Sequence, residues 1–268
     1  HRAGARLYVT LNTLVFEPEL DAVEALLRAA VAANVDAIIV QDPAVALMAR
    51  ALCPALEVHA STQMTVSSPE GARFAEGLGV TRFVAPRELS LPELRTLVAG
   101  TALDVEIFVH GALCVSWSGQ CLTSEAWGGR SANRGQCAQS CRMPYDLVVD
   151  GAVRPLGDVR YLLSPQDQAA VHAVPGLAAL GTDRRPGAIS LKIEGRQKSP
   201  AYVGSAVASY RALIDGLVGD GPPADVGGLV ADMALSYTRG FSHGFFHGSD
   251  HQTLVEGRFP KHRGLFLG

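Results

Sequence analysis

The sequence has little net charge and very few lysines. Its 23 basic and 26 acidic residues give a formal net charge of −3, and only three of the basic residues are lysines, namely Lys192, Lys198 and Lys261. A protein that binds nucleic acid through a strong overall positive charge is therefore not expected, whereas a local basic face is compatible with this balance.

Long apolar runs and an export signal are also missing. No stretch of about 18 consecutive apolar residues is present, so no transmembrane helix is expected. The chain opens with His-Arg-Ala-Gly-Ala-Arg, which lacks the apolar segment of a secretory leader, and this favours a cytoplasmic location. Because the first residue is His1 and not Met, we expect the start of a longer polypeptide to be absent.

The sequence does contain a repeat of short β-rich runs and amphipathic runs rich in Ala and Leu. Six candidate strands have this pattern, at residues 6–11, 36–41, 57–61, 82–85, 105–110 and 188–193. Helical periodicity separates the early strands, and further helices are predicted at residues 201–217 and 226–236. Alternating strands and helices of this kind predict a parallel sheet.

Six such strands predict an α/β fold, namely a TIM-like (β/α) barrel that lacks its first two strands. The barrel would occupy residues 1–218 and carry a long Cys-rich loop insertion at residues 111–187, followed by a C-terminal extension at residues 219–268. An open doubly wound sheet is the alternative, but no Gly-x-Gly-x-x-Gly follows the first strand. Within the insertion, Asp150-Gly151 predicts a hairpin between residues 145–149 and 160–163.

Polar side chains directly follow the candidate strands. In a barrel the carboxyl ends of the strands share one face, where catalytic groups lie. The candidate site residues at this face are Asn12, Gln63, Arg87, His110, Lys192, Glu194 and Arg196. The first three are expected to contact substrate and the other four to take part in the chemistry. The same residue types also begin ordinary loops and form ordinary ion pairs, and this alternative stays open.

Four of the five cysteines lie within 28 residues, with the spacing Cys114-x6-Cys121-x15-Cys137-x3-Cys141. An odd number of cysteines without an export signal indicates a metal or redox site more than a disulfide framework. Thiolates are ligands for iron–sulfur clusters and for zinc, but only the last pair has the close spacing of a zinc knuckle. The alternative is that some of these thiols are buried and inert.

Several segments resemble the collagenase-like peptidase family U32. The cysteine signature carries most of the resemblance, with EIFVHGALCVSWSGQC at residues 106–121 and NRGQCAQSCR at residues 133–142. Further matching segments are YVTLNT at residues 8–13, HASTQM at 59–64, LKIEGRQKSP at 191–200 and RFPKHRG at 258–264. The resemblance covers nearly the whole chain and implies a TIM-like barrel whose first strands precede His1.

The resemblance also implies a cofactor. Some family members carry a 4Fe–4S cluster, and Cys114, Cys121 and Cys137 match cluster-type positions. In many members the fourth cysteine follows a Ser-Lys-Asp-Leu motif, whereas this chain has Ser-Pro-Gln-Asp-Gln there, so that Gln168 replaces the ligand. Cys141 would complete the metal site, or one iron would be left open.

The resemblance further implies a function in RNA modification. Several members take part in oxygen-independent hydroxylation of tRNA or 23S rRNA, with prephenate as the oxygen donor. Lys192 and Arg196 suit such a dicarboxylate, because charge-assisted hydrogen bonds to carboxylates are strong. Arg130, Arg134 and Arg142 suit RNA phosphates. Two alternatives stay open: a peptidase, as the family name states, and a non-catalytic module whose cysteines hold a structural metal.

Overall fold

Parallel strands and helices alternate from the amino terminus, as the hydrophobic pattern predicts. The structure is a computed structural model and describes residues 1–195 and 198–259. Its strands are β1 (Tyr8–Leu11), β2 (Ala37–Val40), β3 (Glu57–Ala60), β4 (Arg82–Val84), β5 (Asp104–Ala112), β6 (Leu147–Val149), β7 (Ala152–Arg154), β8 (Tyr161–Pro165), β9 (Asp167–Ala169), β10 (Ile189–Ile193), β11 (Phe241–Ser242) and β12 (Val255–Gly257). Its α-helices are α1 (Leu20–Ala32), α2 (Pro43–Leu52), α3 (Pro69–Gly77), α4 (Leu91–Ala99), α5 (Thr123–Gly128), α6 (Val174–Ala179), α7 (Pro200–Val218), α8 (Val226–Ser236) and α9 (His251–Leu254).

The central sheet is mostly parallel, and its order follows the chain. Strands β1 to β5 lie side by side in sequence, and β10 pairs with β5 in the same direction. A doubly wound sheet would reverse its order at a switch point, so this alternative is wrong. In the part of the chain that the structure describes, β1 pairs with β2 alone, and the parallel strands form an open sheet.

The two faces of the sheet differ in polarity, because strand side chains alternate. On β5, Val105, Ile107 and Val109 belong to the hydrophobic core that the strands share with α1 to α4 and α7. Asp104 and Glu106 lie on the opposite face, where each is buried and paired with a cation. At the carboxyl ends of its strands, the polar face of the sheet borders the candidate site.

The Cys-rich insertion contributes structure of its own. β9 pairs antiparallel with the last residues of β5, and β11 pairs with β9 in parallel. The hairpin forms around Asp150-Gly151, but its strands are β6 and β7 and not the predicted residues 160–163. Asp150 and Gly151 have φ of 52° and 76°, which are typical of a two-residue type I′ turn. The predicted partner segment instead contributes β8, which pairs with β12.

Residues beyond 218 pack against the sheet-bearing part of the chain. α8 contacts α7, and the side chains of Met233 and Phe246 join the hydrophobic core. The division at residues 218 and 219 stays a prediction. Among the helices of the described ranges, none combines the length and apolar character needed to cross a membrane.

Candidate functional site

A cavity of about 1000 Å³ opens between the carboxyl ends of β5 and β10, the start of α7 and the residues that follow α8. Residues 113–142, which we call the cysteine loop, form its other wall. The lining residues are Arg87, Ala112, Leu113, Cys114, Arg130, Gly135, Cys137, Gln139, Cys141, Arg142, Glu194, Lys198, Ser199, Tyr202, Leu235, Ser236, Tyr237 and Arg239. The cavity therefore lies where the carboxyl ends of parallel strands meet, on the face where the sequence predicts the site, and the assignment of function to this face stays a prediction.

Cations outnumber carboxylates among the residues that line this cavity. Among the lining residues that the structure describes, the charged side chains are five cations and one carboxylate: Arg87, Arg130, Arg142, Lys198 and Arg239 against Glu194. The whole chain has a net charge of −3, so the positive charge is a local property. A partly enclosed wall with this excess favours an anionic ligand.

Arg87 joins the cavity to the polar face of the sheet. Its Nη2 lies 3.2 Å from Glu194 Oε2, and its guanidinium carbon lies 3.6 Å from the centroid of the Phe108 ring. On the same ring, Lys192 Nζ lies 5.1 Å from the centroid and 2.5 Å from the Glu106 carboxylate. Burial lowers the pKa of Arg87, and the nearby Glu194 carboxylate opposes this effect. Lys192 is therefore paired with a carboxylate on the polar face of the sheet. It is not among the residues that line the cavity.

Arg142 and Arg239 are fixed in different ways. Arg142 donates to the hydroxyl of Ser164 at 2.9 Å and to two backbone carbonyls, those of Pro165 at 2.6 Å and of Leu113. Arg239 donates three hydrogen bonds to the buried Asp167 carboxylate, from its backbone N–H, its Nε and its Nη2. Burial lowers the pKa of Arg142, and the charge of Arg239 lowers it further.

Lys198 stands over aromatic rings. Its Nζ lies 3.2 Å from the centroid of the Tyr237 ring and 5.5 Å from that of Tyr202. Burial lowers the pKa of Lys198, and Arg239 and Arg142 lower it further, against the attraction of Asp167. The ammonium is therefore held by ring faces beside two other cations, and an anion bound there would relieve the repulsion.

Three of the four clustered cysteines line the cavity. Cys114, Cys137 and Cys141 are on its wall, and all five cysteines of the chain are free thiols. Burial raises the pKa of Cys114 and of Cys141, and each of these thiols also feels the charge of Cys121. Partial burial opposes ionisation of Cys121, but hydrogen bonds from Ser116 and Thr123 prevail and lower its pKa.

The thiols offer a donor set for a metal group. Within the described residues, no three His, Cys, Asp or Glu side chains stand close enough to hold one metal ion. The Cys137 sulfur receives the Gln139 backbone N–H at 3.4 Å and lies 3.9 Å from Ser124 Oγ. Such hydrogen bonds to sulfur are found around thiolates that ligate clusters. Thiolates ligate both zinc and iron–sulfur clusters, so either group matches the residue types present.

Polar contacts fix the cysteine loop over the strand ends. Ser118 donates its backbone N–H to Glu88 Oε1 at 3.0 Å and its hydroxyl to the same carboxylate. Further along the loop, Arg134 forms a two-pronged pair with Glu19 at 2.6 and 2.7 Å. These anchors hold both halves of the loop to the sheet-bearing part of the chain.

Gly119 gives the closest approach in this loop. Its φ is +81°, and a Cβ built on it would stand 2.2 Å from the backbone oxygen of Gln63. Only glycine fits such a position without a shift of the backbone.

His110 does not face the cavity, contrary to the sequence-based prediction. Its ring lies 5.5 Å from the ring of Tyr202, 5.7 Å from Tyr210 and 5.4 Å from Phe241, as measured between centroids. The register between β5 and β10 shifts just before His110, and such a bulge re-aims the following side chain. Both ring nitrogens are buried without a hydrogen-bond partner, and burial lowers the pKa of His110 to about 4.

Asn12 and Gln63 lie at the predicted strand ends but outside the cavity lining. Asn12 donates its side-chain amide to Ser61 Oγ at 3.5 Å, and Gln63 donates its backbone N–H to the same oxygen at 3.2 Å. The cysteine loop lies against Gln63 at Gly119. Arg196 lies outside the described residues, so its assignment stays a prediction.

Sequence reasoning missed Lys198, Tyr202, Tyr237 and Arg239, which complete the cavity. Tyr237 and Arg239 come from the segment after α8, where the sequence shows little periodicity. Lys198 is one of only three lysines and follows a strand closely, which is a signal that the sequence did offer.

The chain belongs to peptidase family U32, whose family model matches residues 1–256. It is 41% identical over 218 residues to the 23S rRNA 5-hydroxycytidine C2501 synthase of Escherichia coli K12, covering 81% of this chain and 32% of that protein. It is 39% identical over 222 residues to the tRNA hydroxylation protein P1 of Bacillus subtilis 168, covering 81% of this chain and 51% of that protein.

A relative with a different name is the Collagenase of Porphyromonas gingivalis W83. The identity is 30% over 258 residues, which cover 91% of this chain and 60% of that protein. The chain thus spans from about a third to three fifths of the lengths of these three relatives.

Proposed function

We propose that this chain carries the active site of an RNA hydroxylase that uses an iron–sulfur cluster and no molecular oxygen. The observation that carries the proposal is one cavity in which free thiols stand beside an excess of cations. Cations are the groups that proteins use to hold RNA phosphates and small carboxylates. Two of the relatives are named for hydroxylation of rRNA or tRNA, and such substrates favour a cytoplasmic location.

The TIM-like barrel belongs to the same proposal. Strands β1 to β5 and β10 keep chain order with parallel neighbours, which is the order of a continuous barrel wall. The cavity then occupies the face at which barrel enzymes place their chemistry.

Cys114, Cys121, Cys137 and Cys141 would hold the cluster. Their sulfurs are free, and three of them stand on one wall of the cavity. A 4Fe–4S cluster, when bound, supplies a redox-active iron centre that amino-acid side chains cannot provide. Gln168 is buried on β9 and is not among the lining residues, so Cys141 is the fourth ligand in this proposal.

The cations would bind a dicarboxylate oxygen donor, which the family resemblance identifies as prephenate. Arg142, Lys198 and Arg239 converge on the cavity, and a carboxylate there would make charge-assisted hydrogen bonds. Replacing a C–H bond of a base by C–OH removes two electrons from it. The oxygen donor, or an acceptor that regenerates the site, therefore has to take up two electrons.

A peptidase is the second candidate, because one relative is named Collagenase. Its simplest form would pair Cys114 with His110 as nucleophile and base. The geometry opposes this pairing, because neither nitrogen of His110 has a hydrogen-bond partner and its ring lies among Tyr202, Tyr210 and Phe241. Desolvation by the surrounding protein also raises the pKa of the exposed Cys114, which disfavours the reactive thiolate.

The test uses cells that lack the gene, with nucleosides of rRNA and tRNA measured by mass spectrometry. We expect the loss of one nucleoside that is heavier than its parent by a single oxygen atom. The wild type and Cys53→Ala, which changes the cysteine outside the loop, should restore it, whereas Cys121→Ala should not. Iron and acid-labile sulfide should be present in the anaerobically reconstituted wild type and reduced in Cys121→Ala. Unchanged RNA together with metal-free cleavage of gelatin would contradict the proposal in favour of the peptidase.

A further inference from the structure

Both tryptophans of the chain are exposed on the cysteine loop. The sequence has two tryptophans, and the structure leaves Trp117 46% and Trp127 63% exposed. Tryptophan is among the most buried residues on average, because its large apolar ring gains more from burial than most side chains do. Two indoles left in solvent on one loop are therefore available to a ligand.

The two indoles are held in place. Trp127 makes an edge-to-face contact with Tyr145, with 5.3 Å between ring centroids, and Tyr145 in turn donates its hydroxyl to the Ser140 carbonyl at 2.8 Å. Trp117 precedes Ser118, whose backbone N–H and hydroxyl are bound by Glu88. The ring faces are thus presented by a loop that is anchored on both sides, which lowers the entropic cost of binding.

In the sequence, each tryptophan is three residues away from a residue that lines the cavity. Trp127 is three residues before Arg130, which lines the cavity, and Trp117 is three residues after Cys114, which also lines it. A flat apolar ring beside cations is the arrangement by which proteins bind single-stranded nucleic acid, with bases on the rings and phosphates on the cations. Double-stranded RNA does not fit this arrangement, because its base faces are stacked within the helix.

We propose that Trp117 and Trp127 form a stacking platform for unpaired bases of the RNA substrate, beside the cavity. The inference rests on the proposed function and adds the form of RNA that the site accepts, which is a single-stranded segment. On the adjoining wall Arg87 is paired with Glu194 and Arg239 with Asp167, whereas Arg142 and Lys198 have neutral partners. The charge of these two cations favours a nucleic acid over an apolar protein surface. Trp127 is the more exposed ring and contributes more.

Because the sequence has two tryptophans, the fluorescence of each can be measured in a variant that lacks the other. Trp117→Phe leaves Trp127 as the one indole, and Trp127→Phe leaves Trp117. The probe is an unstructured RNA of about 12 nucleotides, a length within the site sizes of aromatic single-strand binders. It should quench the emission of both single-tryptophan variants, whereas the same strand annealed to its complement should quench neither.

The RNA affinities of variants, and their dependence on salt, distinguish base stacking from attraction between charges. Trp127→Ala should weaken binding of the single strand by roughly fivefold to 150-fold, the range that corresponds to loss of one stacked base. The slope of log affinity against log salt should stay unchanged, because no phosphate contact is lost, whereas Arg130→Gln should reduce this slope by about one. Phe74→Ala, which removes a 61% exposed ring on α3, is the matched control and should bind as the wild type does.

Three results would overturn the inference. If the single strand binds but neither emission changes and Trp127→Ala binds normally, the platform is wrong while the proposed hydroxylation stands. If acrylamide cannot quench either indole and the chain sediments as a dimer, a second copy covers the rings. If no RNA binds to the wild type, the stacking platform is wrong. The nucleoside measurement then decides separately whether the hydroxylase proposal is also wrong.

Discussion

Replacing His110 by Phe should make the unfolding free energy of this protein less sensitive to acid. The His110 ring is 1% exposed, lies against Tyr202, Tyr210 and Phe241, and has no hydrogen-bond partner on either nitrogen. Burial lowers its pKa from 6.5 to about 4, and the negative charge of Asp167 offsets only part of this. The folded protein therefore keeps His110 neutral over a pH range in which the unfolded chain is already protonated.

The size of the effect follows from the difference between the two pKa values. As the pH falls below 6.5, the unfolded chain takes up the proton first, so the free energy of unfolding falls until the pH reaches about 4. At about pH 5 the loss amounts to about 2 kcal/mol, since one pKa unit corresponds to roughly 1.4 kcal/mol. His110→Phe removes this term without leaving a buried polar atom unpaired.

Urea unfolding of the wild type and of His110→Phe, at about pH 7.5 and about pH 5, measures the contribution of His110 protonation to the free energy of unfolding. The difference in unfolding free energy between the two proteins should move by about 2 kcal/mol in favour of the variant at the lower pH. His59 is also buried with a lowered pKa, but it is present in both proteins and cancels. His172→Gln, at an exposed position, is the control and should show no such movement. A difference that stays constant between the two pH values would refute the reasoning.

Two further predictions concern the anchors of the cysteine loop. Hydrogen bonds from Arg134 lower the pKa of Glu19 from 4.5 to about 2, so its stabilising effect is present above pH 4.5 and is lost as the pH falls toward 2. The stability difference between wild type and Glu19→Gln should therefore close over this window in urea melts, and a difference that persists at the acid end would contradict it. Gly119→Ala should release the loop to limited proteolysis, because the new Cβ would meet the Gln63 backbone oxygen, whereas Gly157→Ala adds a methyl group in open space at a similar φ. Equal proteolysis of the two variants would show that the contact does not matter.

The strands and helices around the sheet were predictable because their signal is local. All six candidate strands are present, with ends that shift by one or two residues, and the predicted helix at residues 226–236 has the observed bounds of α8. The same alternation predicts the shared face at the strand ends. Ser90 and Glu93 also begin α4 as a reciprocal cap, with the Ser90 N–H 2.8 Å from Glu93 Oε2.

The hairpin and the direction of His110 were not predictable from local patterns. Asp150-Gly151 marks the turn, but the partner of β6 depends on the turn type, and the two-residue turn selects β7. His110 continues the alternation of β5 in the sequence. Its side chain lies against Tyr202 and Tyr210 of α7, next to a register shift that arises only when β5 pairs with β10.

The charge of the cavity depends on partners that no sequence window contains. Arg142 is held by a hydroxyl and by two carbonyl oxygens, all of them neutral, so its hydrogen bonds are largely satisfied while its charge is not cancelled. Lys198 rests on ring faces, which also carry no net charge. Neutral acceptors of this kind keep cations in position and leave their field directed at the cavity.

This arrangement bears on how substrate binding would be coupled to the thiols. Arg142 follows Cys141 directly in the chain, so a carboxylate or phosphate that neutralises Arg142 also removes a positive charge that favours the Cys141 thiolate. Anion binding and ionisation of this cysteine should therefore oppose each other when no metal is bound. A bound metal group would hold the Cys141 sulfur as a thiolate whatever the charge of Arg142, so this opposition would be removed. The opposition between anion binding and thiol ionisation is therefore expected of the metal-free protein alone.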